Sequence, residues 1–196
     1  MASPKPIILA SASTYRRELL ERLGLAFECA RPEVDESALP GESATDTALR
    51  LSRLKAKAVA WRFPDSIVIG CDQVASCDGA RLGKPGNRAT ALGQLEFMSG
   101  KTVVFDTALT VLDTSSDEAR SRAVPCRVTF RRLTRAQIDA YLEREQPYDC
   151  AGSAKAEGLG IALIARIETE DPTSLIGLPL IALTELLAEA GVAVLG

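Results

Sequence analysis

Serines and arginines follow the first apolar run of the sequence. In LASASTYRR, which begins at Leu9, Ser11 and Ser13 precede the adjacent Arg16 and Arg17. Backbone N–H groups and hydroxyls at a strand-to-helix turn can surround an anion, and arginine adds forked donors that match phosphate oxygens. Arginines in the first turn of a helix oppose its dipole, a conflict that a bound anion would remove. The alternative is that Ser13 only caps the helix and the arginines are solvated.

An acidic residue follows a second apolar run, IVIG. Asp72 and Gln73 come directly after it in GCDQ, so we expect the carboxylate at or just beyond the mouth of a buried strand. A carboxylate is costly there unless it holds a metal or transfers a proton. Asp72 is therefore a candidate catalytic acid or base, and a loop-capping aspartate is the alternative.

Two further stretches carry charge next to turns. Lys84 in LGKP precedes a proline, which would fix the lysine beside a rigid turn. Glu33, Asp35 and Glu36 in PEVDES offer carboxylate oxygens of the kind that hard cations bind. A solvated acidic loop is the alternative for this last stretch.

The composition excludes several classes of chemistry. The chain of 196 residues contains no histidine, which removes Ser-His and Cys-His pairs and imidazole acid–base catalysis. Carboxylates with a divalent cation could still activate water. The net charge of -3 argues against binding of a nucleic acid polymer, because such binding needs a broad basic surface. Any bound anion is expected to be small.

The elements that must position these residues alternate along the chain. Apolar runs predict strands over residues 6–10, 26–30, 66–70, 102–112, 123–133 and 160–167. Helical spacing and caps predict helices over residues 14–23, 44–62, 87–98, 135–145 and 179–190, with Ser43 and Thr134 as caps. Asp78-Gly79 predicts a hairpin, and no linker or repeat is visible. The chain therefore reads as one α/β domain, residues 1–196, with a mixed sheet.

Taken together in chain order, the motifs resemble the Maf family of nucleoside triphosphate pyrophosphatases. The matching stretches are S-x-S-x-x-R-R from Ser11, E-V-D-E from Glu33, L-x-x-L-K-A-K-A from Leu51, G-C-D-Q from Gly70, G-K-P from Gly83, PYDCAGS from Pro147 and IGLPL from Ile176. They cover almost the whole chain. The resemblance implies a fold like that of inosine triphosphatases (the Maf/HAM1 fold). This is an elongated, twisted mixed sheet flanked by helices, with a cleft between two lobes.

The resemblance also implies a reaction and a set of roles. Maf-like proteins cleave a nucleoside triphosphate to the monophosphate and pyrophosphate with a divalent cation, Mg²⁺ or Mn²⁺. By position, Asp72 would be the general base, and Glu36 would hold the metal with it. The triphosphate would be held by Ser11, Arg16, Lys55 and Lys84. Arg17 matches less firmly, so a phosphate contact and a solvated flank both stay open for it.

Three departures from the general Maf pattern concern recognition of the nucleobase. Tyr15 stands at a position where arginine is common, Gln73 replaces a threonine and Glu157 replaces a glutamine. These three residues are similar to those of the branch that hydrolyses 7-methyl-GTP. N7-methylguanine is positively charged, so a tyrosine face removes repulsion and adds a cation–π contact. Glu157 could accept hydrogen bonds from the base. Alternatively, Tyr15 is a core residue of a helix and Glu157 a solvated acid.

Two other functions stay open beside this one. The dTTP/UTP branch is disfavoured by the residues at 15 and 157, and a nucleotide-binding regulator of cell division would use the same binding residues. The expected partner is a small nucleotide, and the resemblance implies a homodimer. We expect a cytoplasmic protein without membrane contact, since the opening apolar run is too short for a secretory leader and no stretch reaches about 20 apolar residues.

Overall fold

The computed structural model describes residues 5–195, and it is a mixed α/β structure as predicted. The expectation that the chain has no secretory leader rests partly on residues 1–4, which lie outside that range. The strands are β1 (Ile7–Ala10), β2 (Phe27–Cys29), β3 (Ile67–Cys77), β4 (Ala80–Leu82), β5 (Thr102–Asp113), β6 (Glu118–Phe130) and β7 (Ile164–Glu168). The helices are α1 (Thr14–Glu21), α2 (Ala44–Ala60), α3 (Arg88–Met98), α4 (Arg135–Glu145) and α5 (Leu180–Glu189). Two 3₁₀ turns cover Ala151–Ser153 and Leu159–Leu163.

The strands form one mixed sheet in the order β2-β1-β3-β5-β6-β7, with β4 paired to β3. β1 runs parallel to both β2 and β3, because α1 and α2 provide the crossovers that parallel neighbours require. The predicted hairpin is confirmed: β3 and β4 are antiparallel, and Asp78 and Gly79 both adopt positive φ at the turn. β6 and β7 are also antiparallel.

The chain divides into two compact units. The first contains the residues up to Asp72, Thr107–Val124 and the residues from Asp171 onward; the second contains Gln73–Asp106 and Pro125–Glu170. The boundary falls inside β3, between Asp72 and Gln73. Most of the candidate site residues therefore belong to the first unit, while Gln73, Lys84 and Glu157 belong to the second.

The core of the first unit lies on both faces of β1. Ile7 and Leu9 pack with residues of α1 and α5, while Ile8 and Ala10 pack in a separate cluster with α2. This alternation follows from the two-residue period of a strand. Since both faces are covered, all residues of β1 are buried, as expected for a continuous apolar run between crossover helices.

Several strand bounds differ from the prediction. β3 continues past residue 70 to Cys77, so Asp72 lies within the strand and not at or beyond its mouth. β6 begins at Glu118, five residues before the predicted start at residue 123. The added residues are mostly polar, so the apolar pattern used for the prediction does not mark them as part of a strand. Residues 159–163 form a 3₁₀ turn where a strand was predicted. At Gly160 an added Cβ would lie 2.5 Å from the Lys155 carbonyl oxygen, so the chain folds back tightly on itself there.

No helix within residues 5–195 has both the length and the hydropathy needed to cross a bilayer.

Candidate active site

Lys55 joins two carboxylates in the first unit. Its Nζ lies 2.5 Å from Asp72 Oδ1 and 2.7 Å from Glu36 Oε1. The Lys55 and Asp72 side chains are only 7% and 8% exposed, whereas that of Glu36 is 62% exposed. Helix α2, strand β3 and the acidic loop before α2 thus bring three of the predicted site residues into direct contact. A buried ammonium next to a buried carboxylate offsets part of the cost of desolvating each charge.

A glycine explains why α2 and β3 approach so closely at this point. A Cβ at Gly70 would lie 2.1 Å from the Ser52 carbonyl oxygen and 2.8 Å from the Ala56 amide nitrogen. Only a residue without a side chain allows the helix backbone to lie against the strand here. Lys55 lies between Ser52 and Ala56 at this crossing point on α2, and Asp72 is two residues after Gly70 on β3.

Burial and the neighbouring cations shift the pKa of Asp72 in opposite directions. Burial raises the pKa of its carboxyl group above the ordinary value, and the Lys55 ammonium opposes this by charge and by hydrogen bonding. The charge of Arg16 also lowers the pKa of Asp72, and the Glu36 carboxylate raises it. Asp72 is therefore a buried carboxyl whose proton affinity depends on cations from two other segments.

Ser11 lies in the turn after β1, and Arg16 lies in the first turn of α1. Ser11 is buried, and its hydroxyl accepts a hydrogen bond from the Ser13 amide at 3.1 Å. Ser13 is the N-cap of α1, and its hydroxyl accepts a hydrogen bond from the Arg16 amide. The capping role that the sequence offered as an alternative for Ser13 is therefore present. The half-buried Arg16 side chain donates from Nε to the Gly177 carbonyl oxygen at 2.9 Å.

Tyr15 and Arg17 flank Arg16 on α1 but differ from it in burial or in their contacts. Tyr15 is half-buried, and the fully buried residues of α1 are Leu19 and Leu20 instead. Arg17 is exposed and pairs with Glu21 at 3.0 Å, one turn further along the same helix. The structure thus favours the solvated-flank interpretation for Arg17.

The second unit holds Lys84 on a segment that is tied to its surroundings. The Gly83 carbonyl accepts from Gln94 Nε2 at 3.0 Å and from the Gly152 amide at 3.3 Å, while the Gly86 amide donates to the Tyr148 carbonyl. Lys84 itself is exposed, and its neighbour Pro85 is buried. The backbone around the lysine is therefore fixed while its ammonium is open to solvent.

Glu157 lies on a segment held by α4 in the same unit. The Tyr141 hydroxyl donates to the Ser153 carbonyl and accepts from the Lys155 amide, and Glu145 accepts from the Leu159 amide at 2.7 Å. Glu157 is an exposed residue, but neighbouring groups partly desolvate its carboxyl and raise its pKa. Gln73 is half-buried in β3.

Comparison with known proteins places this arrangement in a family. The family model described as Maf-like protein matches residues 6–190. The chain belongs to the Maf family. It is 58% identical to a 7-methyl-GTP pyrophosphatase of Thiobacillus denitrificans over 189 residues, which are 96% of this chain and 94% of the relative. It is 55% identical to a protein of the same name from Cupriavidus pinatubonensis, covering 97% of this chain and 96% of that one.

A solved structure of a HAM1 protein from Coxiella burnetii was also matched, with a TM-score of 0.47 and 15% identity. The match covers 66% of this chain and 75% of that structure's chain.

The acidic residues of this Maf protein fit a hard divalent cation. Glu36 and Asp72 both reach the same ammonium, so a cation at that place would be within reach of both carboxylates. Within residues 5–195 there is no group of three or more acidic, histidine or cysteine ligands. Mg²⁺ commonly uses only one or two carboxylates together with substrate phosphates and water, which agrees with such a sparse site.

Two residues of this Maf protein that contact or position the candidate site were not predicted from its sequence. Gly177 accepts the hydrogen bond of Arg16, and Gly70 allows the approach of Lys55 to Asp72. Both glycines lie in quoted motifs, IGLPL and GCDQ. Their roles are backbone roles, which residue type alone does not reveal.

Proposed function

We propose that this Maf protein hydrolyses 7-methyl-GTP to 7-methyl-GMP and pyrophosphate. The observation that carries the proposal is the buried contact of Lys55 with Asp72, with Glu36 on the same ammonium. It places a general-base candidate beside a cation and a second carboxylate. The relatives that bear the name 7-methyl-GTP pyrophosphatase, at more than half identity over nearly the whole chain, support the substrate.

In this proposal Asp72 accepts the proton of the attacking water. The water oxygen forms a bond to the α-phosphorus, the bond from the α-phosphorus to the bridging oxygen breaks, and pyrophosphate leaves. Raising the pKa of Asp72 by burial makes it a stronger base than an exposed aspartate. Its neighbour Lys55 would supply a positive charge that neutralises phosphate charge next to the base.

The triphosphate requires cations from several segments, because its charge repels both Asp72 and the incoming water. Ser11 and Arg16 at the start of α1, with Lys55 and Lys84, are the proposed phosphate-binding residues. Glu36 and Asp72 would hold the Mg²⁺ or Mn²⁺ ion, which when bound neutralises phosphate charge and lowers the pKa of water.

We assign base selection to Tyr15, Gln73 and Glu157. The ring of Tyr15 provides a face for the cationic N7-methylguanine, and Glu157 accepts from its N–H donors. The raised pKa of Glu157 agrees with a carboxylate that lacks a cation strong enough to compensate its desolvation.

The test is a substrate panel. The protein is incubated with MgCl₂ or MnCl₂ and with 7-methyl-GTP, GTP, UTP or dTTP, and pyrophosphate is resolved from orthophosphate. We expect pyrophosphate release, fastest from 7-methyl-GTP. Orthophosphate as the sole product would contradict cleavage at the α-phosphorus, and equal rates on UTP would contradict the substrate assignment.

We also propose a homodimer, which rests on the family resemblance. The cytoplasmic location and the treatment of residues 1–196 as one functional domain are proposals that rest on the sequence. Sedimentation of the purified chain at micromolar concentration tests the homodimer, and a monomer would contradict it.

A further inference from the structure

The IGLPL motif supplies none of the proposed catalytic or binding residues, but its glycine carbonyl contacts Arg16 and the residue that precedes Asp72. Gly177 O accepts from Arg16 Nε at 2.9 Å and from Cys71 Sγ at 3.0 Å. Burial raises the pKa of Cys71, which keeps its thiol protonated and able to donate. One backbone oxygen therefore joins the first turn of α1 to the residue preceding Asp72.

We propose that Gly177 is a positioning residue, whose carbonyl oxygen orients the Arg16 guanidinium for a polyphosphate. The bond uses Nε and leaves the two terminal nitrogens out of that contact. A guanidinium binds phosphate best through its planar fork, so fixing the plane at Nε reduces the freedom that anion binding would otherwise remove. The substrate part of this inference rests on the proposed function.

The backbone of Gly177 holds its carbonyl in place. Its φ of +121° is a conformation that residues with a side chain rarely adopt. Its amide donates to the carbonyls of Thr173 and Ser174, and the Ser174 carbonyl in turn accepts from the Thr107 hydroxyl at 2.9 Å. Ser174 is fully buried. The direction of the carbonyl is thus set by glycine geometry and by bonds within the first unit.

A buried carboxylate anchors the loop that carries Gly177. One Asp171 oxygen accepts from the Thr173 hydroxyl at 2.7 Å, and the other accepts from the Ile181 amide at 2.7 Å and the Ala182 amide at 3.2 Å. Pro179, at the N-cap of α5, provides no side-chain cap, so Asp171 fills that role from outside the helix. Closure of the loop is complete without Arg16. The contact to Arg16 is therefore an addition to the bonds that close the loop.

The experiment compares Gly177→Ala with Gly191→Ala. Gly191 also has positive φ, +80°, lies in the same unit, and has open space where its Cβ would be, so it controls for backbone strain. Both substitutions are made in the wild-type and Arg16→Ala backgrounds. Binding of inorganic tripolyphosphate with MgCl₂ is measured by calorimetry, and thermal melting reports stability.

Gly177→Ala keeps the carbonyl but forces a residue with a side chain into φ +121°, with its Cβ 3.6 Å from Arg16 Nε, so the direction of the carbonyl should change. We expect this to weaken tripolyphosphate binding about tenfold in the wild-type background. In the Arg16→Ala background the same change should weaken binding less than about twofold, because the group being oriented is gone. Gly191→Ala should leave binding unchanged in both backgrounds. Equal losses in the two backgrounds, full retention of binding by Gly177→Ala, or no tripolyphosphate binding by the wild type would overturn the proposal.

A second variant keeps the test decisive if Gly177→Ala does not fold. Arg16→Lys retains the charge but has no Nε donor for Gly177, so it should bind tripolyphosphate almost as weakly as Arg16→Ala. Wild-type affinity in Arg16→Lys would overturn the positioning role. Failure of the proposed function is distinguishable, because a wild type that binds tripolyphosphate but does not cleave 7-methyl-GTP contradicts the activity alone.

Discussion

At the scale of single residues, the chemistry of the candidate site centres on Asp72. It is buried, its pKa is raised by that burial, and its Oδ1 accepts from Lys55 at 2.5 Å. A carboxyl in this state can take a proton from water more readily than an exposed one. Its role as general base remains a prediction that substitution can test.

Asp72→Asn should lower kcat by about 10²- to 10⁴-fold, because the amide keeps the shape but cannot act as a base. Nucleotide binding, measured by calorimetry, should remain. Asp117→Asn is the matched control, since Asp117 lies in an exposed turn of the same unit and asparagine tolerates its positive φ. An Asp72→Asn enzyme with wild-type kcat would assign the base elsewhere, with Glu36 as the next candidate.

Tyr15→Arg should selectively impair the methylated substrate. A guanidinium in place of the ring adds repulsion toward the cationic base and removes the cation–π contact, worth about 0.5–2 kcal/mol. We expect kcat/KM to fall about tenfold or more for 7-methyl-GTP and to change little for GTP. Arg17→Ala is the control on the neighbouring exposed position, where neither substrate should be affected. A uniform loss on both nucleotides would argue against base selection by Tyr15.

At the scale of elements, the site depends on the distance between α2 and β3. Gly70 has no room for a Cβ against the Ser52 carbonyl oxygen, so the strand and the helix backbone are in direct contact. The contact between Lys55 and Asp72 follows from this crossing. The elements themselves were predictable, since apolar runs and caps such as Ser43 and Thr134 marked them in the sequence.

Gly70→Ala should destabilise the fold by about 1–3 kcal/mol or more, because the added methyl must push the helix away from the strand. The urea midpoint measures this. Activity of the folded fraction should fall as well, since Lys55 moves with the helix. Gly93→Ala is the control: it lies on α3 with open space at its Cβ and should stabilise by about 0.5–1 kcal/mol. Unchanged stability in Gly70→Ala would mean that the crossing is looser than the structure indicates.

At the scale of the whole molecule, acid sensitivity should depend in part on Asp113 at the end of β5. Both of its oxygens lie 2.7 Å from Lys5 Nζ beside the start of β1, and hydrogen bonds from Lys5 and Ser115 lower its pKa to about 2. Because the folded carboxyl loses its proton more readily than the unfolded one, this contribution to stability is present above the unfolded pKa of about 3.9. It is lost as pH falls from about 4 through about 2.

Asp113→Asn should therefore be less stable than the wild type at pH 7, and the difference should shrink as pH falls from about 4 toward 2. Urea unfolding at several pH values measures it. Asp117→Asn, in the exposed turn between β5 and β6, should show no such pH-dependent difference. A difference that stayed constant down to pH 2 would contradict the ion pair as its cause.

The sequence by itself determined the family, the mixed α/β class and most of the elements, because local periodicity, caps and turn residues are properties of neighbouring positions. It also supplied the candidate residues by type, including Asp72, Glu36, Lys55 and Arg16. Only the tertiary structure decided that Glu36 and Asp72 share one ammonium, and that Arg16 binds the Gly177 carbonyl while its neighbour Arg17 pairs with Glu21. These contacts join segments far apart in the chain, or depend on which face of a helix a residue occupies once packed. The contact of Lys55 with Asp72 also depends on the close approach of two backbones at Gly70, which no local pattern encodes.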